Sequence, residues 1–370
     1  MVYRDLGNTG VRVSPLGFGM MRLPSDEKAA TKMVRDAIDA GVNYIDTAYV
    51  YMDGKNESLT GRILSDGYRD KIYLATKCPV WLVEKDTDFD RLLNEQLRRL
   101  KTEQIDCYLL HCLNEKNWET VKKFGLLEKM KEARDAGKIC YLGFSFHDKY
   151  DLFKEIIDSF DEWDFCQIQL NYLDTEFQAG LKGLEYAADK GLGVIIMEPL
   201  RGGNLAKVPA NVKEIFGTKK TPVEWSLDFL WNMPGVSTVL SGMSTQEQVE
   251  QNLEYALRSE VGMLSEADNE VIKNVQNEFK KFTTVPCTGC AYCNICPQKI
   301  AIPQSFEAYN AAITKKNYAE AKEQYNANVP KFGKFPTECI GCRKCEDICP
   351  QHLPIRTLLT DVAKEFESET

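Results

Sequence analysis

A short apolar run followed by an amphipathic stretch recurs eight times in the first part of this chain, and few folds accept that pattern. The apolar runs are Leu16–Gly19, Val42–Ile45, Lys71–Thr76, Ile105–Leu110, Cys140–Ser145, Phe165–Leu170, Gly193–Met197 and Val236–Leu240. Their length suits buried strands. The stretches between them read as helices over Ser25–Ala40, Asn56–Asp66, Asp88–Leu100, Trp118–Ala136, Asp148–Phe160, Phe177–Asp189, Pro222–Trp231 and Thr245–Ala256. Leu92, Leu93, Leu97 and Leu100 show the spacing of one helical face. One more helix is expected over Ser265–Lys281. Strands alternating with helices imply a parallel sheet, and eight such units close into an α/β (β/α)8 TIM barrel. A doubly wound open sheet is the rival. It needs fewer strands, and no G-x-G-x-x-G follows any of these runs. Ahead of the barrel, Val2-Tyr3-Arg4 and Val11-Arg12-Val13 alternate around Gly7-Asn8-Thr9-Gly10, the pattern of an N-terminal β-hairpin.

The cysteines divide the chain. There are 13, and eight of them fall between Cys287 and Cys349 in two tight groups. The first is Cys287-x2-Cys290-x2-Cys293-x2-Cys296-Pro297, the second Cys339-x2-Cys342-x2-Cys345-x3-Cys349-Pro350. With no secretory h-region at Met1-Val2-Tyr3-Arg4-Asp5, spacing this tight points to metal rather than disulfides. The second group is the bacterial ferredoxin run, and the first is one residue shorter before its last cysteine. In two-cluster ferredoxins the fourth cysteine of each run ligates the other cluster. Cys287, Cys290, Cys293 and Cys349 would then hold one [4Fe-4S] cluster, and Cys339, Cys342, Cys345 and Cys296 a second. Zinc is the alternative occupant. The expected division is a barrel over 1–282 and a small ferredoxin-like α domain over 283–370, with helices at Gln304–Asn326 and Leu358–Phe366. Cys78, Cys107, Cys112, Cys140 and Cys166 read as small buried hydrophobes. Cys78 and Cys112 adjoin Lys77 and His111, but strand alternation puts neighbours on opposite faces.

A net charge of −9 argues against nucleic acid or an anionic membrane surface as partner. No apolar run is long enough to span a bilayer, and a cytoplasmic location is the expectation.

Three of the strands end on a polar group. The Val42 run ends at Asp46, with Tyr51 five residues on. The Lys71 run ends at Lys77, and the Ile105 run at His111. In a parallel barrel all strand C-termini open on one rim, so these four side chains would converge. Alone, the aspartate reads as a cap, the lysine as a solvated cation and the histidine as structural. Together they suit proton transfer. An ammonium beside a phenol stabilises the phenolate, and a carboxylate keeps that ammonium charged and in place. Tyr51 could then protonate a carbonyl oxygen while hydride reaches the carbon. Neutral His111 could orient the carbonyl.

Asp46-Thr47-Ala48-x-x-Tyr51, Thr76-Lys77 and Leu109-Leu110-His111 resemble, in order, the tetrad motifs of the aldo-keto reductase superfamily. The likeness covers residues 1 to about 260 and implies carbonyl reduction with NADP or NAD, without a Rossmann fold. It maps the catalytic acid to Tyr51 and its supporting groups to Lys77, Asp46 and His111. Ser145 and Gln167 match the residues that bind the nicotinamide carboxamide. Phe146-His147 stands where the family has Asn, and Met197 where an aromatic often stacks. Leu200, Gly202 and Gly203 fit the loop over the pyrophosphate. Ser241, Gly242, Gln248 and Asn252 fit the adenosine segment, with Asn252 on adenine. Gly242 and Gln248 replace cations that recognise the NADPH 2′-phosphate. The tail resembles the two-cluster [4Fe-4S] domain carried by one branch of that superfamily.

The reading is therefore an NAD(P)H-dependent oxidoreductase for an aldehyde or ketone, adjoined to two clusters, with a redox protein as a further partner. Trp81, His147 and Tyr49 would shape the substrate pocket. The alternative is a nicotinamide-responsive sensor or electron-transfer protein that keeps the barrel as scaffold.

Overall fold

The computed structural model describes residues 1–282, 284–315 and 317–367. Thr283, where the sequence reading divides the chain, lies outside them. Chain contacts group into two compact units. One is Met1–Pro199 with Ser226–Ser265, the other Leu200–Trp225 with Glu266–Thr370.

The first unit opens with a hairpin of β1 (Arg4–Asp5) and β2 (Arg12–Val13), paired antiparallel. Eight parallel strands follow: β3 (Leu16–Gly19), β4 (Tyr44–Asp46), β5 (Tyr73–Cys78), β6 (Ile105–Leu113), β7 (Ile139–Phe146), β8 (Phe165–Gln169), β9 (Gly193–Met197) and β10 (Val236–Ser241). They pair in chain order, and β10 closes on β3 to complete the barrel. The helices wound outside are α1 (Glu27–Asp39), α2 (Asn56–Ile63), α3 (Asp88–Leu100), α4 (Glu115–Lys123), α5 (Leu126–Asp135), α6 (Tyr150–Asp158) and α7 (Gly180–Asp189). Asp26 caps α1 by accepting from the Lys28 amide, and Asn114 caps α4 by accepting from Asn117. The expected Trp118–Ala136 helix is two, because Gly125 takes a positive φ of 59° between α4 and α5. The Phe177–Asp189 helix starts only at Gly180, and Asn56–Asp66 stops at Ile63.

The hairpin plugs the floor of the barrel. Leu6, Val11 and Val13 pack on Tyr44, Ala75, Cys107, Leu109, Phe165, Ile195 and Leu240, a cluster of inward-facing strand residues. The turn fits closely: Gly7 has φ of +54°, and a Cβ there would stand 2.3 Å from the Gly193 amide nitrogen. Arg4 donates to the carbonyls of Trp231, Met233 and Val236, tying β1 to the segment before β10.

The second unit contains α8 (Ala210–Phe216), which the sequence reading did not find, and α9 (Pro222–Trp231) runs on from the end of its first segment. After α10 (Gln246–Leu257) of the barrel come α11 (Glu266–Phe279), α12 (Ile302–Lys315), α13 (Tyr318–Phe332), α14 (Lys344–Asp347) and α15 (Ile355–Phe366). The expected Gln304–Asn326 helix is thus a pair, and the closing helix starts at Ile355, directly after Pro354. Its core joins Val285, Phe306, Tyr325, Val329, Leu359 and Phe366 with Cys293 and Cys345, and Cys287, Cys296, Cys339 and Cys349 pack against it. No helix among the described residues is long and apolar enough to cross a membrane.

Gly7→Ala meets both a positive φ and a backbone clash. It is expected to cost about 1–3 kcal/mol and lower Tm by several degrees, read by thermal unfolding.

Candidate active site and cysteine sites

β4 and β5 are neighbours with Asp46 opposite Ala75, so Lys77 reaches across to the end of β4. Its Nζ donates to both Asp46 oxygens, at 2.7 and 2.8 Å, to the Thr47 carbonyl at 2.8 Å, and to the Tyr51 hydroxyl at 3.3 Å. Three partners take the three N–H bonds of the ammonium. The Lys77 and Asp46 side chains are both buried. The turn after β4 holds Tyr51. Its carbonyl accepts from the Gly54 and Asn56 amides, and Met52 and Asp53 are both forced to positive φ between them. Such backbone is costly for residues with a side chain and persists only where the surroundings impose it.

His111 lies in β6, which runs two residues beyond it. Its ring meets Tyr51 edge-on at 6.2 Å and Trp81 at 5.1 Å. Burial, then the Lys77 charge, then His147 hold its pKa well below 6.5, so the ring is neutral. The sequence reading put Cys112 on the opposite face by strand alternation. β6 instead shifts register between Leu110 and Leu113, and Cys112 has φ of 58°. The Ser145 hydroxyl oxygen accepts from its amide at 2.7 Å. Burial pushes the Cys78 thiol up to about 12, which keeps it inert. Tyr49 turns toward α3, donating to Glu95 at 3.0 Å under the Arg99 guanidinium, so it does not line the rim.

Gln167 in β8 is buried beside Ser145, the two being register partners. Its Nε2 faces the Met197 sulfur at 3.6 Å, and its Oε1 has no hydrogen-bond partner among the described residues. An orphaned buried amide oxygen is costly and suits an absent donor. At the end of β10, Asn252 donates to Ser241 at 2.8 Å, and Gln248 accepts from the Ser244 amide at 2.8 Å. The sequence reading found no cation here. The structure supplies one from elsewhere: Arg22, after β3, lies with its Cδ 3.2 Å from where a Gly242 Cβ would be. Only chain closure of β10 on β3 reveals it.

Leu200, Gly202 and Gly203 follow β9 but belong to the second unit. There Gly202 fits against Thr288, whose carbonyl oxygen would stand 2.0 Å from an added Cβ. Asn204 donates to the Cys287 carbonyl at 3.0 Å. The first cysteine run thus rests on this segment. Cys293 has Cys290, Cys287, Cys349 and Cys345 as neighbours that, after burial, push its thiol up. Cys345 is pushed up to about 11 by burial, with Glu346, Cys296 and Cys339 adding to it. Cys296, Cys339, Cys342 and Cys345 line one cavity with Ile300, Ile302 and Leu359. Each of these neighbourhoods brings together cysteines of both runs.

Burying an ammonium and a carboxylate opposes both charges, pulling Lys77 down and Asp46 up, while their mutual contact works against it. Such a pair adds little net stability, yet breaking it strands one charge. Lys77→Met alone is expected to cost about 3–5 kcal/mol, and adding Asp46→Asn to recover most of it. Denaturant unfolding of the three proteins checks this. Equal losses in the single and double variants would show that no buried charge pair exists.

The sequence matches the Aldo/keto reductase family over residues 15–275 and a 4Fe-4S dicluster domain over residues 286–353. It is 31% identical over 228 residues to YrpG, an uncharacterized oxidoreductase of Bacillus subtilis, covering 55% of this chain and 68% of that one. It is 29% identical over 309 residues to the L-galactose dehydrogenase of Arabidopsis thaliana, covering 72% and 92%. The holo form of aldo-keto reductase AKR11C1 from Bacillus halodurans superposes with a TM-score of 0.63 at 26% identity, covering 74% of this chain and 96% of that one. The chain belongs to the aldo/keto reductase family, as an oxidoreductase with a C-terminal 4Fe-4S dicluster domain.

Proposed function

We propose that the protein reduces an aldehyde or ketone to the alcohol, with Tyr51 as the general acid. The observation that carries this is the Lys77 ammonium, chelated by Asp46 and 3.3 Å from the Tyr51 hydroxyl. A bound NADPH or NADH supplies the hydride to the carbonyl carbon. Tyr51 gives its proton to the carbonyl oxygen, and the phenolate left behind faces the ammonium. Solvent then returns a proton to Tyr51. His111, kept neutral by burial and by Lys77, directs an N–H at the carbonyl oxygen and adds no competing charge. Trp81, packed on His111, helps to exclude water from the pair. Ser145 and Gln167 hold the nicotinamide carboxamide, which would give the Gln167 oxygen its donor. Ser241, Gly242, Gln248 and Asn252 frame the adenosine end, with the Arg22 guanidinium beside them.

We further propose two [4Fe-4S] clusters. Cys287, Cys290, Cys293 and Cys349 hold one, and Cys339, Cys342, Cys345 and Cys296 the other. The cavity shared by Cys296, Cys339, Cys342 and Cys345 supports the second set, and the nearness of Cys287, Cys290 and Cys349 to Cys293, which also neighbours Cys345, supports the first. When bound, each cluster takes or gives one electron at a time, which suits exchange with a redox protein.

Tyr51→Phe removes the proton and little else. It is expected to lower kcat/KM for carbonyl reduction on the order of 10² to 10⁴-fold, with nucleotide affinity by fluorescence quenching unchanged. Retained turnover would remove Tyr51 as the acid.

A further inference from the structure

Glu57, in the first turn of α2, is a fully buried carboxylate that the mechanism above does not use. Its Oε1 accepts from the Thr76 hydroxyl and the Gln96 amide, each at 2.7 Å, and its Oε2 from Arg99 at 3.3 Å. All three partners donate to it and favour the ionised carboxylate, working against burial, which pushes its pKa up. Gln96 is itself fixed, because the Tyr108 hydroxyl donates to its oxygen at 2.7 Å. The same Gln96 Nε2 donates to the Lys77 carbonyl at 3.0 Å. Glu57 therefore grips the backbone at Lys77 by two routes, through Gln96 and through the adjacent Thr76. Its neighbour Asn56 accepts from the Thr47 hydroxyl at 2.5 Å, and the Thr47 carbonyl is one of the three acceptors of Lys77 Nζ. One helical turn thus holds the ends of both β4 and β5.

We propose that Glu57 is a positioning residue for the reaction: through Thr76 and Gln96 it locks the end of β5 so that the Lys77 ammonium stays aimed at Tyr51. The inference rests on the reading of Tyr51 and Lys77 given above. The charged and titratable groups around Lys77 are Asp46 on β4, Tyr51 on the turn after it, Glu57 on α2, Arg99 on α3 and His111 on β6. Signs alternate along Asp46, Lys77, Glu57 and Arg99. Burial weakens the ammonium's hold on its proton, while Asp46 and Glu57 both strengthen it. A buried acid that served only as packing glue would need no such match.

The sign of the effect follows. Removing the Glu57 charge lets Lys77 lose its proton at lower pH, and with it the positive charge that faces Tyr51. The basic limb of the kcat profile then moves down. Removing the Arg99 charge moves it up.

The test uses the full-length, cluster-loaded protein with para-nitrobenzaldehyde as the carbonyl probe and NADPH and NADH in turn. Glu57→Gln is expected to lower the basic limb by on the order of half a pH unit or more and to reduce kcat roughly tenfold near pH 8. The nucleotide KM should stay within about twofold of the parent. Glu57→Asp keeps the charge and should keep the limb, even if its Tm falls. Arg99→Gln should raise the limb, and it decides the matter if Glu57→Gln does not fold. A Glu57→Gln protein with the parent's limb and only a lower Tm would overturn the proposal, as would an Arg99→Gln limb that stays put or falls. If Tyr51→Phe keeps full activity, the reading of the acid itself fails, and this inference falls with it.

Discussion

A lysine ammonium sealed inside a protein must be matched atom for atom, and Lys77 is. Its three donors meet Asp46, the Thr47 carbonyl and Tyr51, and all but the last are backbone or side chain of the β4 end. Much of the upper barrel is arranged to make that match. β4 and β5 have to be adjacent and in register, the turn after β4 has to bend back through two residues at positive φ, and α2 has to start where Asn56 can bond Thr47. Because the desolvation cost is large and the return small, such a site is poorly explained by stability alone. On the proposed reading it serves as preorganisation: charge set in advance where a phenolate would form, with little to rearrange if the proton leaves.

The closed sheet is what allows this. Parallel strands deliver their last residues to one rim, so an acid, an ammonium and an imidazole from β4, β5 and β6 stand side by side although 65 residues separate Asp46 from His111. The opposite end carries none of this chemistry. It is filled by the hairpin, whose Leu6, Val11 and Val13 complete the apolar interior. The second unit solves another problem with a similar economy. Its apolar core is small, and cysteines from two distant runs lie in and against it, where binding a cluster would couple to folding. Within this unit, the segment holding Gly202 and Asn204 packs on the start of the first cysteine run.

Much of this was legible in the chain because it depends on local order. Strand ends and their polar residues follow from period and length, so Asp46, Tyr51, Lys77 and His111 could be found by position alone. The cysteine runs announce themselves by spacing. What escaped depends on partners distant in sequence or on backbone that breaks its own rule. Apolar spacing continues through Phe124-Gly125-Leu126, so nothing but φ at Gly125 separates α4 from α5. Cys112 follows the strand pattern in sequence, yet a register shift turns its backbone. Tyr49 sits two residues before Tyr51 and still faces α3, because Glu95 and Arg99 claim it. Arg22 reaches Gly242 through barrel closure, and Glu57 is a charged residue in the first turn of a helix, a position that normally signals solvent rather than a core.

The charge on Lys77 is the point on which the account stands. It can be read directly by nitrogen NMR of protein labelled at lysine Nζ, with the Lys77 signal identified by its loss in Lys77→Met. The account expects an ammonium shift at neutral pH that persists into mildly alkaline solution. A neutral amine at neutral pH would contradict it, since Asp46 would then be paired with nothing and no positive charge would face Tyr51.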